Sequence, residues 1–347
     1  MRKFRLHVVC ILLGLNVYLP TSLLKAQSSD LAALPAYQPQ PVEAGVIRCW
    51  GHVYLQKIML SWEQAFQKYH PGVTFEDNLV SSAAATGALF TKTADLGIVG
   101  REIRPMEVAG YNRVMKQKPF PYEVMTGSFA NADKSVALGI FVQKNNPLTR
   151  VTFKQLDAIF GSERRRGERE NIRTWGQLGL TGAWADKPID IYTGELDAAP
   201  GFFFSQLVMR GSLLWNDKLK HYDDITKPDG TTYEAQQQVV DVLAADPQGI
   251  ALAGAGVRNA NVKLLEVSVD DDGPFVAATR QTVEARTYPL ARSVWIYTNQ
   301  PAEPLNPRVR EFLRFIFSRE GQELVRQEGE YLPLTPALDG AQLKRLQ

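Results

Sequence analysis

LVSSAAATGALFTKTADLGIVGREIR, running from Leu79 to Arg104, carries the two features on which the reading of the whole chain turns. Ser81 and Ser82 can cap a short helix, because a serine oxygen accepts hydrogen bonds from the otherwise free amides of a first turn. Ala83, Ala84, Ala85 and Gly87 keep that helix start bare. Ala94-Asp95-Leu96-Gly97-Ile98-Val99-Gly100-Arg101 then reads as a buried strand that delivers Arg101 at its carboxyl end. A bare helix start beside an arginine suits a small anion, since exposed amides and the helix dipole both favour negative charge. The same residues also suit a plainer arrangement, a capped helix before a core strand with an exposed arginine.

Outward from this stretch, the neighbouring segments alternate in type. A strand from Val46 is expected to end in Gly51-His52. Leu55, Ile58, Met59, Trp62 and Phe66 follow at the spacing of one buried helix face. Pro71-Gly72 stops that helix, and Val73-Thr74-Phe75 resumes as a strand. Strand, helix, strand, helix, strand is a parallel βαβ progression, whose ligand sites sit at strand carboxyl ends. Gly51-His52-Val53, Ser81-Ser82 and Arg101 are therefore expected at one rim. His52 could face a ligand or simply turn the chain beside its glycine.

The chain has 347 residues, 45% of them hydrophobic and 22% charged, which fits a globular protein of two domains. Arg2, Lys3 and Arg5 precede an apolar run from Leu6 to Leu24, with Ala26 offering a small residue for cleavage. Residues 1–26 thus read as a secretory signal peptide, which places the protein in the periplasm or outside the cell. Cys10 lies too early in that run for a lipid-attachment cysteine. Of the net charge of +2, Arg2, Lys3, Arg5 and Lys25 supply four positives against no acidic residue in 1–26, leaving −2 for the remainder. Nothing there suggests nucleic-acid binding. Only Cys49 remains beyond the signal, so no intramolecular disulfide can form, and its strand-like setting suggests a buried inert thiol.

Residues 27–45, with Pro35, Pro39 and Pro41, read as an extended, poorly packed leader. Pro105 to Pro121 reads as turns. A second α/β portion opens with a strand from Lys134 to Val142 and a capping box, Thr152-x-x-Gln155, before the helix Phe153 to Phe160. Ser162 to Glu170 is charged and lacks apolar positions, so it reads as a solvated loop. Ile189 to Tyr192 is a strand, and Pro200 suits the first turn of a helix from Phe202 to Arg210. Phe202-Phe203-Phe204 is read as core packing. A helix over Glu234 to Ala245, strands over Ile250 to Ala253, Val262 to Val267 and Ser293 to Thr298, and helices over Pro307 to Phe317 and Ser318 to Glu328 complete the chain.

In this order, several pieces resemble the phosphate-type substrate-binding proteins of ABC transporters, which have the type II periplasmic binding fold. They are Ala94-Asp95-Leu96-Gly97 with Arg101, Asn146-Pro147-Leu148 leading into Phe153-x-x-Leu156-x-x-Ile159-Phe160-Gly161, Trp175-x-x-Leu178-Gly179, Tyr288-Pro289-Leu290-x-Arg292, and Glu311-Phe312-Leu313 through Gly321-Gln322. The resemblance spans nearly all of the chain after the signal. It implies two α/β lobes of mixed sheets flanked by helices, joined by hinge strands and closing on a ligand. Lobe one would take residues 46–133 and 268–347, and lobe two residues 134–267. An oxyanion would be held between helix starts, adding Asp197, Ala198, Ala199 and Gly201 to Gly51, His52, Val53, Ser81, Ser82 and Arg101. A membrane permease is the implied partner, and the monomer the implied state.

One departure from the family pattern stands out. Where the family carries an arginine and then Ser-Gly-Thr, this chain has Gly194 and Ala198-Ala199-Pro200. A charge and two hydroxyls are lost, and Pro200 cannot donate an amide. At roughly 1.5–3 kcal/mol for each hydrogen bond to a charged group, the loss costs several powers of ten in affinity unless other groups replace it. Glu195 and Asp197 would also repel an anion, unless one accepts a proton from it. The cleft therefore holds phosphate or another oxyanion chiefly through lobe one, or it has been turned to another solute or to an interaction role in the envelope. An enzyme is not expected, for no nucleophile elbow, phosphate loop or His-Glu-x-x-His is present, and no cofactor or metal is implied.

Overall fold

The computed structural model describes residues 30–131, 134–301 and 303–346. The expected signal peptide, with Cys10, lies outside the described residues, and no described helix is long and apolar enough to cross a membrane. Two five-stranded mixed sheets form the frame. The first has the order β2-β1-β3-β14-β4, from β1 (Gly45–Gly51), β2 (Val73–Leu79), β3 (Leu96–Val99), β4 (Phe120–Thr126) and β14 (Ser293–Thr298). β1 runs parallel to β2 and β3, and β14 lies antiparallel to β3 and β4. The second has the order β12-β5-β11-β7-β8, from β5 (Leu138–Gln143), β7 (Asp190–Thr193), β8 (Leu219–His221), β11 (Gly249–Gly254) and β12 (Val262–Leu264). Two short pairs complete the strands, β6 (Arg150–Thr152) with β13 (Glu266–Ser268) and β9 (Ile225–Thr226) with β10 (Thr232–Tyr233).

The helices arise where the spacing places an apolar stripe over a sheet. α1 (Gln56–Tyr69) buries Ile58, Met59, Trp62 and Phe66, each worth about 1.5–3 kcal/mol on leaving water. The Trp62 indole N–H finds the carbonyl of Gly321 at 2.9 Å, so its polar edge is satisfied inside the core. Gly321 belongs to α9 (Arg319–Glu328), which with α8 (Pro307–Ile316) covers the same face of the first sheet. α2 (Ser82–Phe90), α3 (Pro105–Met115) and α10 (Pro336–Lys344) complete that half. The second sheet is flanked by α4 (Phe153–Phe160), α5 (Ala199–Leu207) and α6 (Ala235–Ala245), with the short α7 (Arg280–Glu284) on the return path. The capping box at α4 is formed, Thr152 Oγ1 accepting from Gln155 N and Gln155 Oε1 from Thr152 N.

Four expectations need correction. Residues 105–121 are not turns: Pro105 occupies the first position of α3, and Glu107 closes its N-terminus by accepting from Arg104 N at 2.7 Å. The expected strand over Val262 to Val267 is two strands, because Leu265 turns its amide to Ile140 between them. The loop Ser162 to Glu170 is anchored rather than free. Arg166 donates to the carbonyls of Val208 and Leu207, lies 5.0 Å over the Phe153 ring, and its amide donates to Asp157. Its guanidinium ties down the carbonyls of the last α5 residue and of the residue after it, where cations are favoured.

The leader is the fourth. Leu31, Leu34 and Tyr37 are buried, and the Tyr37 hydroxyl donates to Glu311 Oε1 at 2.7 Å and meets His70 Nε2 at 2.7 Å. The Tyr37 amide also donates to Glu320 at 2.7 Å, and Arg319 N donates to Pro35 O. The segment is a strap across α1, α8 and α9. Tyr37→Phe would remove a hydroxyl from a buried carboxylate, so it is expected to destabilise the chain by about 1–3 kcal/mol in urea unfolding. An unchanged midpoint would mean that the strap adds nothing to stability.

Candidate functional site

The carboxyl end of β1 passes into Gly51 and His52, whose ring nitrogen Nδ1 accepts from Tyr54 N at 3.3 Å and so starts a 3₁₀ turn over Val53–Leu55. β2 ends at Leu79, and Ser81 then caps α2, its Oγ accepting from Ala84 N at 3.2 Å. β3 ends at Val99, and Gly100-Arg101 follow. These three strand ends meet one cavity of about 730 Å³. His52, Ser81, Ser82 and Arg101 line it from the first sheet, and Ala198 and Ala199 line it from the start of α5. Both sheets thus contribute.

Four expected residues do not line this cavity. Gly51 and Gly201 are set by packing: a Cβ on Gly51 would lie 2.2 Å from the carbonyl oxygen of Ile98, and one on Gly201 would lie 2.4 Å from that of Leu196. Val53 is exposed beside the mouth. Asp197 is exposed, and its carbonyl oxygen, not its carboxylate, is engaged, accepting from Arg104 Nη2.

Arg101 reaches the expected place but its charge is already committed. Its guanidinium pairs with both oxygens of Glu107, at 2.8 and 2.6 Å, and also donates to Glu102 O. Burial alone would push the Glu107 carboxyl up, but the bonds from Arg101 and from Arg104 N outweigh it and hold Glu107 below the usual carboxylate range. A bidentate pair of this kind is a strong contact. Arg101 thus lines the cavity as an arginine already paired with Glu107.

The residue that the sequence reading missed is Arg292. It lies just before β14, is 3% exposed, and lines the same cavity. One Nη donates weakly to Gly100 O at 3.3 Å, Nε has no partner, and the guanidinium lies 5.7 Å from the centre of the Phe203 ring on α5. Burial lowers its pKa from the ordinary arginine value; Glu102 supplies the nearest opposing field, yet no described carboxylate is at ion-pair distance. The motif Tyr288-Pro289-Leu290-x-Arg292 contained it, but only the tertiary fold shows that the side chain is a cation without an ion-pair partner. Arg104 is similar in position, lying 5.7 Å from the Phe202 ring and bridging to Asp197 O. Phe202 and Phe203 are buried as expected, but their ring faces meet arginines from the other half of the molecule.

Ser135, Gln236, Tyr331 and Glu195 complete the polar lining. Ser135 Oγ donates to Gly100 O at 2.6 Å. Ala198 gives α5 no side-chain cap, and Pro200 offers no amide. A smaller cavity of about 120 Å³ adjoins the first through Glu195 and Gln236 and adds the carboxylates of Asp224 and Glu234. Electrostatically the site is cationic on the side of the first sheet and acidic toward the second.

Residues 39–320 match the model of the PBP superfamily domain. The chain belongs to the PBP superfamily. It is 29% identical over 316 residues to the phosphate-binding protein PstS of Pseudomonas aeruginosa, an alignment covering 90% of this chain and 91% of that one. The protein SphX of Synechococcus elongatus is 26% identical over 279 residues, covering 78% and 72% of the two chains. Two solved structures share the fold. An ABC-type phosphate transport receptor from Vibrio cholerae superposes with a TM-score of 0.54 at 18% identity, over 82% of this chain and 99% of that one. PstS from Borrelia burgdorferi does so with a TM-score of 0.55 at 16% identity, over 84% and 99%. For this member of the superfamily, the two-sheet frame and the cavity between the sheets match what the sequence resemblance implied about the fold.

Proposed function

We propose that the chain is an exported solute-binding protein of the phosphate type, which holds phosphate or a similar small oxyanion in the cavity between its two sheets. The observation that carries the reading is Arg292, a buried guanidinium that lines the cavity with no carboxylate among the described residues at ion-pair distance. A buried, unpaired charge costs several kcal/mol, and an anion in the cavity would offset that cost. The α2 start at Ser81–Ala83 adds amides and a favourable dipole on the same wall. Curated relatives named for phosphate binding support the same ligand class.

In this reading the sheets belong to two lobes, residues 46–133 with 268–347 and residues 134–267, and Arg104 reaches from one to the other at Asp197 O. Residues 1–26 direct export, and a membrane permease receives the ligand. Lobe one supplies the attraction, while on the second side Glu195 lines the cavity and the arginine and hydroxyls are missing. A carboxylate in an anion site disfavours a fully ionised anion and tolerates one that donates a proton to it. Phosphate keeps such a proton at neutral pH and sulfate does not.

Isothermal titration of protein stripped of ligand by unfolding and refolding tests this. Phosphate is expected to bind with micromolar or tighter affinity, and sulfate at least tenfold more weakly, about 1.4 kcal/mol. No heat with any oxyanion would overturn the reading and leave the acidic second-sheet side to a different solute.

A further inference from the structure

Cys49, Glu63 and Asp77 come together away from the cavity, on the α1 side of the first sheet. Cys49 and Asp77 are directly paired across β1 and β2, and Glu63 descends from α1. The thiol sulfur and one oxygen of each carboxyl all lie within 4.8 Å of one another. Glu63 is only 6% exposed, and its Oε1 has no hydrogen-bond partner among the described residues. Asp77 is exposed and opens the group to solvent. A buried carboxyl beside a second carboxyl and a buried thiol is costly in the ionised form, and two remedies exist: a proton or a cation.

Without a cation the proton is favoured. Burial, with Asp77 beside it, pushes the Glu63 carboxyl up to about 8, and burial pushes the Cys49 thiol well up. The donor set nevertheless suits a metal. A thiolate and two carboxylate oxygens at about 2.3 and 2.0–2.2 Å from a tetrahedral zinc-type ion would stand roughly 3.4–3.6 Å from one another. The present spacing, within 4.8 Å, is wider than that, so binding requires the three side chains to draw together. The sulfur favours zinc, cobalt or cadmium over magnesium or calcium, which take oxygen ligands.

We propose that Cys49, Glu63 and Asp77 form a binding site for a zinc-class divalent cation, with water completing the coordination on the Asp77 side. The ion would tie α1 to the β1–β2 edge. Because none of the three residues lines the anion cavity, the site is independent of the ligand proposed there.

The test uses the full chain carrying Cys10→Ser, in which Cys49 is the sole thiol. Titration with Co(II) is expected to produce a thiolate-to-cobalt charge-transfer band that saturates at one equivalent and is abolished by Zn(II). Glu63→Gln and Asp77→Asn keep the thiol and its packing, and each is expected to weaken Co(II) binding by roughly tenfold or more. Cys49→Ser should abolish the band. Zn(II) should raise the melting temperature of the parent and not of Cys49→Ser, since binding to the folded state alone stabilises by mass action. Absence of the band in folded protein overturns the proposal. So does a band that survives Cys49→Ser, or one that both carboxyl variants leave unchanged.

Discussion

Phosphate affinity is expected to fall by roughly 10²–10⁴ when Arg292 is replaced by methionine. Two hydrogen bonds to a charged ligand, at about 1.5–3 kcal/mol each, set that range at about 1.4 kcal/mol per tenfold. The ligand-free variant is expected to be no less stable than the parent, and the second half of this expectation separates a ligand-holding arginine from a structural one. In the parent, Arg292 is buried and, among the described residues, has one long side-chain hydrogen bond, to Gly100 O, and no ion-pair partner, so removing the charge removes a desolvation cost. Methionine is flexible enough to fill the space beside Phe203. Isothermal titration and thermal melting of the same preparation read both halves. Unchanged phosphate affinity would place the anion elsewhere, and a large fall in the ligand-free melting temperature would make Arg292 a structural residue.

The chain should also gain stability at alkaline pH from Asp339→Asn. Asp339 lies in the first half of α10, is fully buried, and neither of its carboxyl oxygens has a hydrogen-bond partner among the described residues. Burial pushes its carboxyl up to about 8. The folded chain therefore keeps a proton that the unfolded chain releases near 4. The unfolded state binds fewer protons across that window, so the contribution of Asp339 to stability is greatest below pH 4 and falls as pH rises toward 8. At about 1.4 kcal/mol per unit, the difference accumulates to several kcal/mol. An asparagine cannot ionise, so the variant should match the parent at or below about pH 4 and exceed it by several kcal/mol at pH 8 in urea unfolding. Glu63, shifted in the same sense, adds a comparable slope to both proteins and so drops out of the comparison. Parallel pH profiles for parent and variant would show that Asp339 is not held protonated.

The sequence by itself determined the elements whose signals are local. The α1 stripe of Ile58, Met59, Trp62 and Phe66, the Ser81 cap, the Thr152–Gln155 capping box and the paired closing helices each follow from spacing or from a cap within one turn. The order of those elements was enough for the two-lobed α/β family and for placing His52, Ser81, Ser82 and Arg101 at one rim. What it could not determine was which charges meet. Pro105 made α3 look like a turn, so Glu107 was not seen facing Arg101. The prolines of the leader concealed that Leu31, Leu34 and Tyr37 pack against α8 and α9, hundreds of residues away in the chain. Arg292 stood in the sequence only as the last residue of Tyr288-Pro289-Leu290-x-Arg292, and the fold alone places it in the cleft. Apolar periodicity reports which side of an element faces inward, because burial acts on each residue separately. The state of a buried charge depends on its partners, and only the tertiary structure brought those together.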